Sequence, residues 1–269
     1  MSLWRLVRRS LIYYWRTNLG VLIAAVVGAA VLAGALFVGD SIRYTLASLV
    51  TDRLGSTNLA LVSRDRFFAT ELADRLAAEL NTMAAPILQT QGLITNSDDS
   101  AHANNVQVLG VDKSFYQIGD AANPFSVQPD EIVLNAALAS KLRLTSGDEV
   151  VVRMAKPSLM PREVPLTPDS DLSVSFRLKV KAVAGPREFG NFSLRANNLA
   201  PMNAFVPLPW LQEKLARAGR ANLLLLGRHS DKNISVEQAN EAVCKVWQLA
   251  DTGTELRSLP SNNELELLS

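Results

Sequence analysis

EIVLNAALASKLRLTSGDEVVVR, residues 131–153, carries four structural signals in succession. Ile132, Val133 and Leu134 form a short apolar run that reads as a strand. Asn135 follows, where a side-chain oxygen can accept from the first free amides of a helix, and AALASKLRL supplies the helix formers. Gly147-Asp148 turns the chain, with glycine taking the positive φ that other residues avoid. EVVVRM, residues 149–154, is rich in β-branched side chains and reads as the next strand.

The same interleaving continues in both directions. Toward the N-terminus, 58–62 reads as a strand and 66–81 as an amphipathic helix. Phe68, Leu72, Leu76 and Leu80 form its stripe, and Pro86 stands as its breaker. Residues 87–95 read as a strand, 96–105 as a polar turn and 106–112 as another strand. Toward the C-terminus, 156–171 holds four prolines and reads as a loop or insertion. Residues 172–185 then alternate, with Val174, Phe176, Leu178, Val180 and Ala182 inward. Residues 204–209, a helix over 210–218, a strand over 221–227 and a helix over 235–249 complete the pass. Strands and helices mixed in this way predict an α+β domain with α/β-like interleaving rather than a sandwich.

The chain opens differently. LGVLIAAVVGAAVLAGALFVG, residues 19–39, has no charged side chain. As a helix rising about 1.5 Å per residue it spans roughly 30 Å, the thickness of a bilayer's hydrocarbon core. Arg5, Arg8, Arg9 and Arg16 precede it and Asp40 follows it, which predicts a cytoplasmic N-terminus and an exported body. The apolar residues between the arginines suggest a short interfacial helix leading into the span. A cleavable signal peptide is the rival, since Ala33 and Ala35 offer a small-x-small site. The run is longer than an ordinary signal core, and Leu36, Phe37 and Val38 continue it past that site. Gly20, Ala24 and Gly28 recur at every fourth position, as do Ala25, Ala29 and Ala33, and Ala30 with Gly34. Rows of small residues let a neighbouring helix approach closely, although alanine and glycine are also simply common in spans.

Beyond the span, residues 41–54 hold Ile42, Leu46, Leu49, Val50 and Leu54 near helical spacing, stopped by Gly55. The expected organisation is a basic interfacial segment over 1–18, a transmembrane helix over 19–39, a helical stalk over 40–57 and a domain over 58–269.

Charge and motif content narrow the function. Of 27 basic and 26 acidic residues, four basic and no acidic ones lie in 1–39, so the remainder holds 23 and 26 and carries a net −3. Such a body has no electrostatic footprint for nucleic acid. Cys244 is the one cysteine, which excludes an internal disulfide; its setting in VCKVW reads as a small core hydrophobe. No phosphate-binding glycine motif occurs. His102 and His229 are far apart and read as surface residues, as do the acid pairs Asp98-Asp99 and Asp169/Asp171. Ser41 and Ser193 lack a nucleophile elbow. The sequence thus carries no catalytic set and no cofactor motif.

Several stretches resemble the FtsX/MacB-like ABC transporter permeases: the basic start and span, VGDSIR at 38–43, RLG at 53–55 and VQVLGVD at 106–112. Residues 131–153, FVPLPWLQ at 205–212 and ANLLLL at 221–226 are similar to that family's MacB-like periplasmic core. The resemblance implies a membrane subunit in a bacterial inner membrane, working as a dimeric permease with a separate cytoplasmic ATPase and with a periplasmic partner or substrate. Substrates would be lipoproteins, peptides or drugs handled outside the membrane. Such permeases have at least four spans and this sequence has one long apolar run, so it is expected to be the N-terminal portion of a longer permease or a reduced relative. The alternative is a single-pass domain that binds or senses a ligand, and a third reading is a secreted enzyme released near Ala35.

Overall fold

The computed structural model describes residues 3–63, 66–120, 125–155, 173–195, 199–228, 234–252, 255–259 and 264–268. They fall into two compact units, Met1–Val50 and Thr51–Ser269. The first holds helix α1 (Leu3–Tyr13) and most of helix α2 (Trp15–Leu54). Tyr14 separates the two helices, and Asn18 Nδ2 donates to the Leu11 carbonyl across the break at 3.3 Å. At 40 residues α2 is about 60 Å long, and it is a helix long and apolar enough to cross a membrane.

The second unit is a mixed α+β domain built on a small barrel. Its elements run from β1 (Thr57–Val62) and β2 (Phe68–Ala69) through α3 (Glu71–Leu80) to the long strand β3 (Ala84–Asn96). Strand β4 (His102–Val111), α4 (Lys113–Ile118), β5 (Glu131–Asn135), α5 (Ala136–Leu142) and β6 (Glu149–Ala155) follow. Then come β7 (Ser173–Ala184), β8 (Asn203–Pro207), α6 (Leu208–Lys214), β9 (Arg220–Ala221), β10 (Leu223–Gly227) and α7 (Val236–Val246). A hairpin of β11 (Glu255–Leu259) and β12 (Glu264–Leu268) forms a separate two-stranded sheet.

Strand β3 organises the barrel because it serves three neighbours. Residues 84–87 pair with β10, 88–95 with β4, and 92–96 with β6. The strands therefore close in the order β3-β4-β8-β5-β7-β6 and back to β3, while β10 and the edge strand β1 extend the sheet from the first third of β3. Gly92 is the corner: it pairs with both Val106 and Met154, and a Cβ there would sit 3.0 Å from the Arg153 carbonyl oxygen. Asn222 stitches the extension in place. Its amide nitrogen donates to Gln89 O at 2.8 Å and its Oδ1 accepts from Gln89 N at 2.7 Å, imitating a backbone rung.

Three apolar clusters follow from strand alternation. Val106, Val108, Leu134, Val150, Val152, Leu178 and Val180 face Leu138 and Leu142 of α5 and Leu211 of α6. On the opposite faces, Leu109, Val133, Phe205, Leu223 and Leu225 meet Phe115 and Ile118 of α4. Leu224 and Leu226 look the other way, toward Leu72 and Leu76 of α3 and Ala242 of α7.

The local expectations around 131–153 hold. Asn135 caps α5 by accepting from Leu138 N at 3.0 Å, and Gly147 has φ +101. Elsewhere the chain differs in instructive ways. The helix expected over 66–81 begins only at Glu71, because Phe68 and Ala69 pair with β9. It ends at Asn81 in the left-handed region, and Pro86 lies inside β3, not at a break. The polar turn is shorter than 96–105, since β4 already starts at His102, which is exposed. Helix α6 starts two residues earlier than expected and stops at Lys214. Cys244 is exposed, not a core residue: α7 turns Ala239, Ala242, Val243 and Val246 toward α3, and position 244 points off that face. The proline-rich 156–171, with Asp169 and Asp171, and His229 lie outside the described residues.

Among the described residues burial also leaves a few side-chain polar atoms without a hydrogen bond, the Tyr116 hydroxyl among them. Tyr116 is nearly covered by apolar neighbours, its hydroxyl has no hydrogen-bond partner among the described residues, and burial pushes its phenol pKa well up. Tyr116→Phe should therefore raise unfolding stability by about 1 kcal/mol in chemical denaturation, because a desolvated hydroxyl is removed at nearly constant volume.

Candidate functional site

The candidate site lies within the second unit, where the last turn of α2 enters the domain. Leu54 ends the helix and Gly55 follows at φ +54, its amide donating to Thr51 O at 2.9 Å. A side chain there would cost about 1 kcal/mol for the left-handed backbone alone. It would also meet Gly119 Cα and Ile118 O at 3.0 Å and the Phe189 ring at 3.2 Å. Glycine is needed at 55 for both reasons.

Ser56 is bound on both sides. Its amide and its Oγ both donate to the Ile118 carbonyl, at 3.0 and 2.6 Å, and its own carbonyl accepts from Arg228 N at 2.8 Å. One turn earlier, Arg53 is only 8% exposed, and its Nη2 donates to the Leu199 carbonyl at 2.9 Å. The root of α2 thus touches three separate segments: the end of α4, the strand end at Gly227-Arg228, and, between β7 and β8, the connection whose described residues are 185–195 and 199–202.

The end of α4 and the described part of the connection are themselves fixed. Asp112 caps α4, accepting from Ser114 N at 2.9 Å and Phe115 N at 3.3 Å. Phe115 packs on Phe189, Phe192 and Phe205 with ring centroids 4.8, 5.4 and 5.7 Å away. Aromatic pairs of this kind contribute roughly 0.5–1.5 kcal/mol each beyond their buried area. Phe189 adopts a left-handed φ of +59, uncommon for a bulky residue, and its ring lies directly over Gly119. Asn203, fully buried at the start of β8, donates to the carbonyls of Gly190 at 3.0 Å and Phe192 at 2.7 Å. Asn135 adds a bond from Nδ2 to Pro201 O at 2.6 Å. Two buried asparagines therefore tie the connection to β5 and β8 of the barrel.

The residues singled out from sequence lie in the first unit. Arg5, Arg8 and Arg9 are exposed on α1, and Arg16, the second residue of α2, holds its guanidinium 5.6 Å from the Trp15 ring centre. Gly20, Ala24, Gly28, Ala25, Ala29, Ala33, Ala30 and Gly34 are all exposed on α2. A Cβ built at Gly20, Gly28 or Gly34 meets nothing within 4 Å. Among the described residues no group of three or more His, Cys, Asp and Glu is placed to hold a metal.

Sequence reading reached the α2 side of this root through RLG at 53–55 and missed its counterpart. The pairing of Gly119 with Phe189 joins residues 70 positions apart, and only GPREFG, with glycines on either side of a charged turn, hints at an unusual backbone.

Comparison with known proteins identifies the family. Residues 19–244 match the family described as the MacB-like periplasmic core domain. Two solved structures are similar at low identity. The periplasmic region of MacB from Actinobacillus actinomycetemcomitans is 8% identical with a TM-score of 0.46, covering 81% of this chain and 91% of that one. The extracellular domain of the noncanonic ABC-type transporter YknZ from Gram-positive bacteria is 9% identical with a TM-score of 0.41, covering 65% and 78%. A comparison with curated protein sequences finds no match. With most of its length matched, from the apolar helix to α7, the chain belongs to the MacB-like periplasmic core domain family.

Proposed function

We propose that the chain is part of the membrane subunit of an ABC transporter of the MacB/FtsX type. In this reading α2 spans the bacterial cytoplasmic membrane with the N-terminus inside, anchored by Arg5, Arg8, Arg9 and Arg16, and the domain lies outside. A separate cytoplasmic ATPase supplies the energy, and the domain works on lipoproteins, peptides or drugs beyond the bilayer or engages a periplasmic partner. The observation that carries it is the absence of slack at the root of α2: Arg53, Gly55 and Ser56 are bonded or packed into the domain without an intervening linker. A shift of that last turn must displace Ile118, Gly119 and the Phe189 connection with it.

The test is purification of the full chain from mildly solubilised membranes, followed by nucleotide trapping. An ABC ATPase subunit should be retained, and trapping should change amide exchange at Ser56 and Gly119. Absence of the ATPase, with no response to nucleotide, would favour a single-pass tethered sensor. One membrane-length helix among the described residues is the observation on that side.

The small-residue rows are proposed to pack against neighbouring spans of a dimeric permease. Gly28→Leu should leave membrane insertion intact and shift the detergent-solubilised assembly to smaller species on size exclusion. An unchanged elution profile would reduce the rows to mere composition.

A further inference from the structure

We propose that α1 and the elbow at Tyr14 form a binding surface for anionic phospholipid headgroups, so that lipid charge as well as apolar burial holds the N-terminus at the membrane. This rests on reading α2 as a span. At about 100° per residue, Arg5, Arg8 and Arg9 share one arc of α1, with Ile12 among them, while Trp4, Val7 and Leu11 share the adjoining arc. The four arginines have no acidic residue to answer them anywhere in 1–39, and neither α1 nor α2 has an acid in its first turn. The positive end of the α1 dipole reinforces Arg5, and the missing negative charge must come from outside the segment.

The junction at Tyr14 adds a shallow, open hollow. An open crevice of about 530 Å³ is lined by Leu6, Arg9, Ser10, Ile12, Tyr13 and Tyr14. The Tyr13 and Tyr14 rings meet edge to face, 4.9 Å between centres at 85°, and the Asn18 bond to Leu11 O spans the junction of the two helices. One guanidinium, three hydroxyls and two aliphatic side chains in a single crevice match the parts of a phospholipid where its phosphate joins its acyl chains. A soluble anion would use the guanidinium and leave Leu6 and Ile12 in water. A lipid headgroup uses both kinds of surface, and that selects it as the occupant.

The experiment is amide exchange by mass spectrometry on the full chain in nanodiscs of phosphatidylcholine alone or mixed with phosphatidylglycerol. Each arginine near an anionic leaflet contributes a factor of roughly five to binding, so protection of α1 should rise at least about tenfold in the mixed discs. The gain should vanish in the combined variant Arg5→Gln, Arg8→Gln, Arg9→Gln and shrink at high salt. Equal protection of α1 in both discs, or an unchanged gain in the variant, would overturn the proposal. So would inorganic phosphate restoring full protection in pure phosphatidylcholine, which would mark a free-anion site. Amides of 19–39 report separately on the span: fast exchange there in both discs would instead sink the membrane reading itself.

Discussion

Gly119→Ala should destabilise the domain by roughly 3 kcal/mol, a large effect for one methyl group. The backbone is not the reason, because Gly119 has φ −71 and ψ −2, where alanine is comfortable. The obstacle is Phe189: a Cβ at 119 would lie 2.6 Å from Phe189 Cβ and closer still to the ring. The ring cannot swing aside cheaply, since Phe115 and Phe192 enclose it and its own backbone is already held at a positive φ. A double-mutant cycle isolates the cause. Phe189→Ala should cost about 3–5 kcal/mol through the cavity it leaves, and in that background the Gly119→Ala penalty should fall by about half or more, the remainder coming from the Cβ that alanine keeps at 189. Denaturant midpoints of the four proteins give the comparison. A full Gly119→Ala penalty persisting without the Phe189 ring would show that the two do not meet.

Arg75→Ala should cost about 3 kcal/mol, or close to 10 °C in melting temperature for a domain of this size. Asp251 is 1% exposed and is paired with Arg75 of α3, while its second oxygen accepts from Gln248 N at 2.7 Å. Removing the guanidinium leaves a carboxylate in the interior beside α3 with its desolvation no longer offset. Arg220 stays nearby but donates to the carbonyls of Ala250 and Asp251, so it cannot substitute directly. Pairing Arg75→Met with Asp251→Asn should recover much of the loss, because both charges then leave together. A double variant as unstable as Arg75→Ala would place the cost in lost packing of the arginine stem instead. The exposed pair Lys245–Glu79 offers a contrast, and its loss should be barely measurable.

Much of the architecture was legible because its signals are local. Asn135 as a cap, Gly147 as a turn and the alternation of β7 are written within a few residues of where they act. So was Gly55 as the stop of α2. The barrel was not legible, because closure depends on β3 serving three partners, and Gly92 shows nothing of Val106 or Met154 in its own neighbourhood. Pro86 misled for a related reason: a proline tolerated in β3 looks in isolation like a helix breaker. Cys244 misled because an amphipathic helix of small residues leaves its buried arc undecided by one position. The candidate site was half legible. RLG marked the helix side, whereas the Phe189–Gly119 contact and the Asn203 ties are long-range and leave only a pair of glycines in GPREFG as a trace.

The central claim is that the root of α2 and the barrel form one mechanical body. Native-state amide exchange of the full chain at Ser56 tests it most directly, since that amide is bonded to Ile118 O at the junction. Ser56 should open only with the domain as a whole, with the same free energy and denaturant dependence as the β8 amide of Phe205, and Asn203→Ala should lower both together. Exchange of Ser56 by local fraying, orders of magnitude faster than Phe205 and indifferent to Asn203→Ala, would contradict it.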